Sequence, residues 1–228
     1  MHIGKFVKAM AIVSIASVIP FGVVAETITV ALDSTVELTT HKVDAARVVY
    51  KGREALRVTE ADEPTNDEDK LVIINGSEFS DGVIEVDLAA APRKDAGEFA
   101  RGFVGIAFRV AADVSTFEAI YLRPTNGRAP QQIRRNHSVQ YISHPAYPWH
   151  RLRKETPGHY EAHVDLVPGE WTKVRVVVRG TEAKLYVHGS EQPALIVSDL
   201  KLGEGSGAVG LWIGPGTEAH FAGLSIGK

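Results

Sequence analysis

Apolar and polar residues alternate with a period of two along most of this chain, a pattern that suits only half-buried extended strands. Gly82-Val-Ile-Glu-Val-Asp-Leu88 is the clearest case, with Ile84, Val86 and Leu88 facing one way and Glu85 and Asp87 the other. Similar runs cover Phe103 to Val110, Phe117 to Arg123, Thr172 to Arg179, Ala183 to His188, Val209 to Ile213 and His220 to Ile226. Between them lie turn formers: Pro124-Thr-Asn-Gly127, Pro168-Gly169, Arg179-Gly180, Gly203 to Gly207 and Gly214-Pro-Gly216. After residue 25 no segment sustains a 3.6-residue period with caps. The chain therefore reads as all-β, with a dozen or so strands in two packed sheets.

The N-terminus departs from this rhythm. Lys5 and Lys8 precede the apolar run Ala9 to Ala25, which closes on the small-residue pattern Val23-Val24-Ala25 of a secretory signal. Pro20 and Gly22 interrupt a run already short for a bilayer span of about 20 residues. Residues 1–25 are read as a cleaved signal and residues 26–228 as one domain, exported and not inserted in a membrane after cleavage. Cleavage removes two lysines and leaves 23 basic against 28 acidic residues, so the formal charge moves from -3 to -5. That balance gives no general pull toward nucleic acid. The chain has no Cys, which excludes disulfides, thiolate metal sites and a cysteine nucleophile, and favours a bacterial periplasm or cell surface as destination.

Three connections interrupt the strands. Glu60 to Lys70 carries five acids within Asp62 to Asp69. These are carboxylates enough for a structural calcium ion, but the ligand spacing and Gly of an EF-hand loop are missing, so a solvated connection is expected and no cofactor or metal is assigned. Ala89 to Ala100 reads as a second exposed connection. Asn126 to His163 reads as one long packed loop rich in Arg, His and aromatic residues. Its His137, His144 and His150 match no compact metal motif.

The order of motifs carries a resemblance. Phe79-Ser-Asp-Gly-Val-Ile-Glu-Val-Asp87, Gly105-Ile-Ala-Phe-Arg109, Phe117-Glu-Ala-Ile-Tyr-Leu-Arg123, Gly169-Glu-Trp-Thr-Lys-Val-Arg-Val176, Lys184-Leu-Tyr-Val187 and Gly207-Ala-Val-Gly-Leu-Trp-Ile213 resemble the concanavalin A-like lectin/glucanase superfamily. Within it the chain is most similar to laminin G-like and 3-keto-disaccharide hydrolase-like domains. The resemblance implies a jelly-roll β-sandwich of two antiparallel sheets and a carbohydrate ligand on its concave face. It also brings a glycoside hydrolase or lyase acting on a sugar, possibly a 3-keto one, and a structural or adhesion module as alternatives.

Laminarinase-type members carry Glu-x-Asp-x-x-Glu on one strand; Glu85-Val-Asp87-Leu-Ala-Ala90 has Ala where the general acid belongs, so Glu85 and Asp87 are read as solvent-facing. If Ile106, Phe108, Ile120 and Leu122 point inward, parity turns Arg109, Tyr121 and Arg123 to the opposite face, beside the small Gly105, Ala107 and Ala119. Aromatic faces stack on sugar C–H surfaces and Arg forks donate to hydroxyls or carboxylates. Arg109, Tyr121 and Arg123, with Tyr141, Trp149 and Arg151 from the long loop, are the expected substrate-binding residues. By the same parity Lys173, Arg175, Arg179, Lys184, Tyr186 and His188 point outward. Trp171 and Trp212 read as core. Were the chain an enzyme, Glu118, His144, Glu161 and His163 would be the candidate acids and bases.

Overall fold

Each strand is explained by what it buries. In Thr172–Arg179 the three valines Val174, Val176 and Val178 are all but inaccessible while Lys173 and Arg179 are exposed; β-branched residues on one side of a pleat and charges on the other leave the backbone no better conformation. The computed structural model describes residues 27–30, 32, 37–61 and 68–228. The expected signal segment and residues 62–67 of the acidic connection lie outside them.

Fifteen strands and three short helices are present among the described residues. In chain order the strands are β1 (Thr27–Val30), β2 (Leu38–His41), β3 (Val43–Tyr50), β4 (Arg53–Glu60), β5 (Leu71–Phe79), β6 (Gly82–Pro92), β7 (Val104–Val110), β8 (Phe117–Leu122), β9 (Val139–His144), β10 (Glu161–Ala162), β11 (Thr172–Arg179), β12 (Glu182–Val187), β13 (Leu195–Val197), β14 (Gly207–Ile213) and β15 (Thr217–Gly227). The helices are α1 (Pro124–Gly127), α2 (Gln132–Asn136) and α3 (Trp149–Glu155). One antiparallel sheet runs β13-β12-β11-β6-β15-β4-β3, with β1 also on β15; the second runs β10-β9-β8-β7-β14-β5-β2. This is the expected jelly-roll sandwich.

The main core lies between the sheets. Ile84, Val86 and Leu88 of β6, the β11 valines and Phe221 of β15 meet Val104, Ile106 and Phe108 of β7, Ile120 and Leu122 of β8, and Val209, Leu211 and Ile213 of β14. The expected parity holds through β6, β8 and β11, and in β7 as far as Phe108; there a bulge interrupts it and Val110 leaves the main core. The second sheet, however, is not bare on its outer side. Every residue of β7 and β8 is buried, because Leu71, Phe117, Tyr121, Ile142 and Trp212 form a second apolar cluster over Ala107 and Ala119. Near Tyr121 the strands pack so closely that a Cβ on Gly105 would lie 2.3 Å from the Ile120 carbonyl oxygen and 2.5 Å from the Tyr121 Cβ.

None of the three connections is wholly what composition suggested. The segment from Asn126 to His163 holds α2, α3, β9 and β10, and β9 pairs with β8 through six registers. Val139 and Tyr141 face the main core while Ile142 joins the outer cluster; burial on both faces erased the alternation that would have marked a strand. Ala89 to Pro92, expected in an exposed connection, are the end of β6, with Ala89 and Ala90 buried because both faces of the strand are covered there; Ala96, Gly97, Phe99 and Ala100 then form a rim over the second sheet. At the ends of the acidic connection, Lys70 Nζ and Glu60 Oε1 pair at 3.2 Å with side chains only 2% and 1% exposed, and Glu60 Oε2 accepts the Gly216 N–H at 2.8 Å. The described ends of that connection are thus anchored in the fold and not solvated.

Candidate functional site

The outer face of the second sheet opens into a cavity of about 850 Å³. Its floor is aromatic. Tyr121 from β8 and Trp212 from β14 lie 4.5 Å apart with their planes tilted by 31°, and Phe103, just before β7, meets the Tyr121 ring edge-on at 6.2 Å. Ala96, Gly97, Phe99, Ala100, Arg101 and Gly216 form one wall; Arg134 on α2, His137 after it, and Trp149, His150 and Arg153 at α3 form the other. Trp149 is 37% exposed, an apolar ring on the rim with Arg153 at 4.7 Å and Arg123 at 5.9 Å from its centroid.

Arg123, at the C-terminal end of β8, ties floor to wall. Its guanidinium donates to the Tyr121 hydroxyl at 2.9 Å, to Gln140 Oε1 at 3.3 Å and to the His137 carbonyl at 3.1 Å, and lies 3.7 Å from Glu161. Glu161 is itself 4% exposed and binds Arg153 and His137, accepting from the His137 Nδ1–H at 3.0 Å. A carboxylate facing Nδ1 fixes the proton there and leaves Nε2 as an acceptor. Burial is the largest influence on His137; Arg153 and Arg123 act with it against the pull of Glu161 and hold the ring below the ordinary histidine value, so it is neutral at neutral pH. Burial likewise keeps the Tyr121 hydroxyl protonated, above the usual tyrosine value.

Glu68 also lines the cavity. Its carbonyl accepts the Trp212 indole N–H at 2.5 Å, which places the residue at the edge of the aromatic floor. Burial pushes its carboxyl up to about 7, against the opposing pull of Arg123 and Lys70. One cavity thus holds a neutral histidine and a carboxyl that exchanges its proton near neutrality, an arrangement able to accept and to donate protons.

Of the residues expected to bind a ligand, Tyr121, Arg123 and Trp149 come together here; the other three do not. Arg109 sits in a bulge between β7 and β14 at φ 53° and donates to the carbonyls of Ser80, Gly180 and Gly203 at 2.6–3.1 Å and to Asp81; the bulge turns its side chain away into a clamp on three loops. Tyr141 faces the main core, donating to Glu118 Oε2 at 2.6 Å. Arg151 lies on the open side of α3, bonded to Glu155 at 2.8 Å and stacked 4.1 Å over Tyr147.

Among the candidate acids and bases, only Glu161 belongs to this constellation, behind the cavity wall. Glu118 shares the inward parity of Ile120 and is fully buried, accepting from Tyr141 and from the Leu202 N–H; burial raises its pKa despite these bonds. His144 stacks on Phe117 at 4.7 Å, and His163, exposed, hydrogen-bonds the Arg135 carbonyl at 3.2 Å.

The outward residues Lys173, Arg175, Lys184 and Tyr186 belong to β11 and β12 of the first sheet and so face the opposite side of the sandwich. Glu85 and Asp87 share that face, opposite Arg175 and near Arg53 and Lys173. Sequence reasoning did not place Glu68, Arg101, Phe103 or Arg134 in the site: Phe103 reads only as the start of a strand, the other three lie in connections without periodicity, and Trp212 reads as core only. Among the described residues no group of three or more His, Asp or Glu side chains is placed to hold a metal ion, and no helix is long and apolar enough to cross a membrane.

No protein-family model and no curated protein matches the chain. Solved structures do. The carbohydrate-binding module CBM66 from Bacillus subtilis superposes with a TM-score of 0.55 at 13% identity, covering 83% of this chain and 94% of that one. A Bacillus subtilis protein of unknown function with a galectin-like fold gives a TM-score of 0.53 at 10% identity, covering 84% and 89%. At such identities the likeness is one of fold, a jelly-roll β-sandwich.

Proposed function

We propose that this is an exported carbohydrate-binding jelly roll that takes its glycan in the cavity on the outer face of the second sheet. The observation that carries the reading is the lining itself. Trp149, on the rim, and the half-buried Phe103 offer aromatic surface for sugar C–H faces above the buried rings of Tyr121 and Trp212, and arginines around them offer donors to hydroxyls. A pocket of this volume with a mostly apolar wall and a few convergent polar groups has the usual form of a small-molecule site. The CBM66 neighbour adds support, and the signal-like residues 1–25 support export to a periplasm or the cell exterior. A purely structural or adhesive module would not require so large an opening over an otherwise sealed sheet.

A second reading, cleavage or elimination at a glycosidic bond, draws on one observation: His137, oriented by Glu161, and Glu68 share the cavity. One experiment separates the two. The protein without residues 1–25 is screened by thermal shift against a glycan panel, and each stabilising sugar is followed for product over hours. Binding predicts an intact ligand whose effect disappears in Trp149→Ala and Arg123→Gln variants that still fold. Product formation that is lost in His137→Ala would establish the enzyme instead, and the absence of any shift would refute both.

A further inference from the structure

We propose that the sugar taken by this cavity is anionic, its oxyanion gripped between Arg101 and Arg134; the inference rests on the glycan reading above and goes beyond it by fixing the charge of the ligand. Among the described residues, four arginines line the cavity, at positions 101, 123, 134 and 153, and Glu68 is the one acidic residue of the lining. Two of the four are already matched, since Arg153 and Arg123 converge on Glu161 behind the wall.

The other two are not. Arg101 donates through Nη1 to the carbonyls of Glu98 and Ala100 at 2.5 and 2.9 Å. Arg134 donates through Nε and Nη2 to the amide oxygen of Asn126 at 3.3 and 3.2 Å. All of these acceptors are neutral, and neither arginine forms an ion pair among the described residues. After burial, the influences that hold Arg101 below the ordinary arginine value are its like-charged neighbours Arg134 and Arg123.

Guanidiniums gathered at the mouth of a partly desolvated cavity repel one another, and the repulsion is relieved when an anion enters. The chain as a whole carries a formal charge of -3, so the positive cavity is a local arrangement and not the overflow of a basic protein. A guanidinium fork matches the geometry of a carboxylate or a sulfate. With Trp149 exposed on the rim to stack on a ring, a uronate or a sulfated sugar satisfies both halves of the lining.

Glu68 then acts as a charge gate. It shares the cavity with Arg101, Arg123, Arg134, Arg153 and His137, and the charges that act on it are Arg123 at the end of β8 and Lys70 on its own segment. Ionisation of Glu68 adds a negative charge beside the ligand's own, so an anionic sugar binds more weakly as pH rises through about 7, whereas a neutral sugar does not respond.

The test is calorimetric titration of the purified protein with trigalacturonate, its methyl ester, a sulfated disaccharide and a neutral galacto-oligosaccharide, at about 50 and about 500 mM salt. The acid, or the sulfated sugar if that is the source of the charge, should bind about tenfold or more tighter than its neutral counterparts. The gap should close at high salt and in Arg101→Gln and Arg134→Gln, but persist in Arg175→Gln on the opposite face. If a variant fails to fold, the acid against ester comparison on the unmodified protein still decides. Equal binding of acid and ester, abolished by Trp149→Ala, would overturn the anionic inference and leave the glycan reading standing. No binding by any of the four would overturn both.

Discussion

Replacing Glu68 with Gln removes one ionisable group from the cavity edge while keeping the shape of the side chain. In the folded chain the Glu68 carboxyl titrates near 7, against an ordinary value of 4.5, because burial outweighs the favourable charges of Arg123 and Lys70. Between those two values the native state holds a proton that the unfolded chain has released. Stability therefore falls as pH rises from about 4.5 to about 7 and changes no further through this group above that. The full displacement corresponds to about 3 kcal/mol at most. Glu68→Gln carries no such slope. Urea unfolding of both proteins from about pH 4 to about pH 8 should show curves that coincide at the acid end and diverge until the variant is the more stable by up to about 3 kcal/mol. Parallel curves, or a variant less stable at the alkaline end, would refute the reasoning: the arginines around the cavity would then be holding Glu68 as a stabilising carboxylate, and the gating of an anionic ligand would fail with it.

Three further outcomes follow from the packing. Lys70→Met strands Glu60 in a site where its side chain is 1% exposed; a loss of about 3–5 kcal/mol is expected, read as a fall in Tm of roughly 6–20 °C. The double variant Glu60→Gln/Lys70→Met, which keeps an acceptor for the Gly216 N–H, should recover most of it. Gly105→Ala drives a methyl to within 2.3 Å of a backbone oxygen; a loss of about 2 kcal/mol or more should come with altered Trp fluorescence, because Tyr121 on that spot supports Trp212. Arg109→Met leaves the carbonyls of Ser80, Gly180 and Gly203 without their donor and should cost about 3 kcal/mol or more in urea unfolding, while the folded fraction binds glycan as before.

How far the sequence could be read depends on which part of the geometry is local. The face a side chain takes is local: the parity of β7 and β8 follows from Ile106, Phe108, Ile120 and Leu122, and it correctly put Tyr121 and Arg123 outside the main core. The same parity places Glu118 inward beside Ile120, where only its charge had suggested a functional role; the Tyr141 hydroxyl and the Leu202 N–H satisfy it there. Which sheet a strand joins is not local. Lys173, Arg175 and Tyr186 are as outward as Tyr121, yet β11 pairs with β6 whereas β8 pairs with β7, so the two polar sets lie on opposite sides of the sandwich. Parity also has nothing to say about residues outside strands, and the cavity wall is built from such residues. Arg101 precedes β7, Arg134 lies on a helix of five residues, and Glu68 is held in place by an indole 144 positions away. Segments free of ladder hydrogen bonds can bend to bring charges together, whereas a strand spaces its same-face side chains two residues apart. The crowding of Arg101, Arg123 and Arg134 needed that freedom, and it comes from the stretches where the alternation stops.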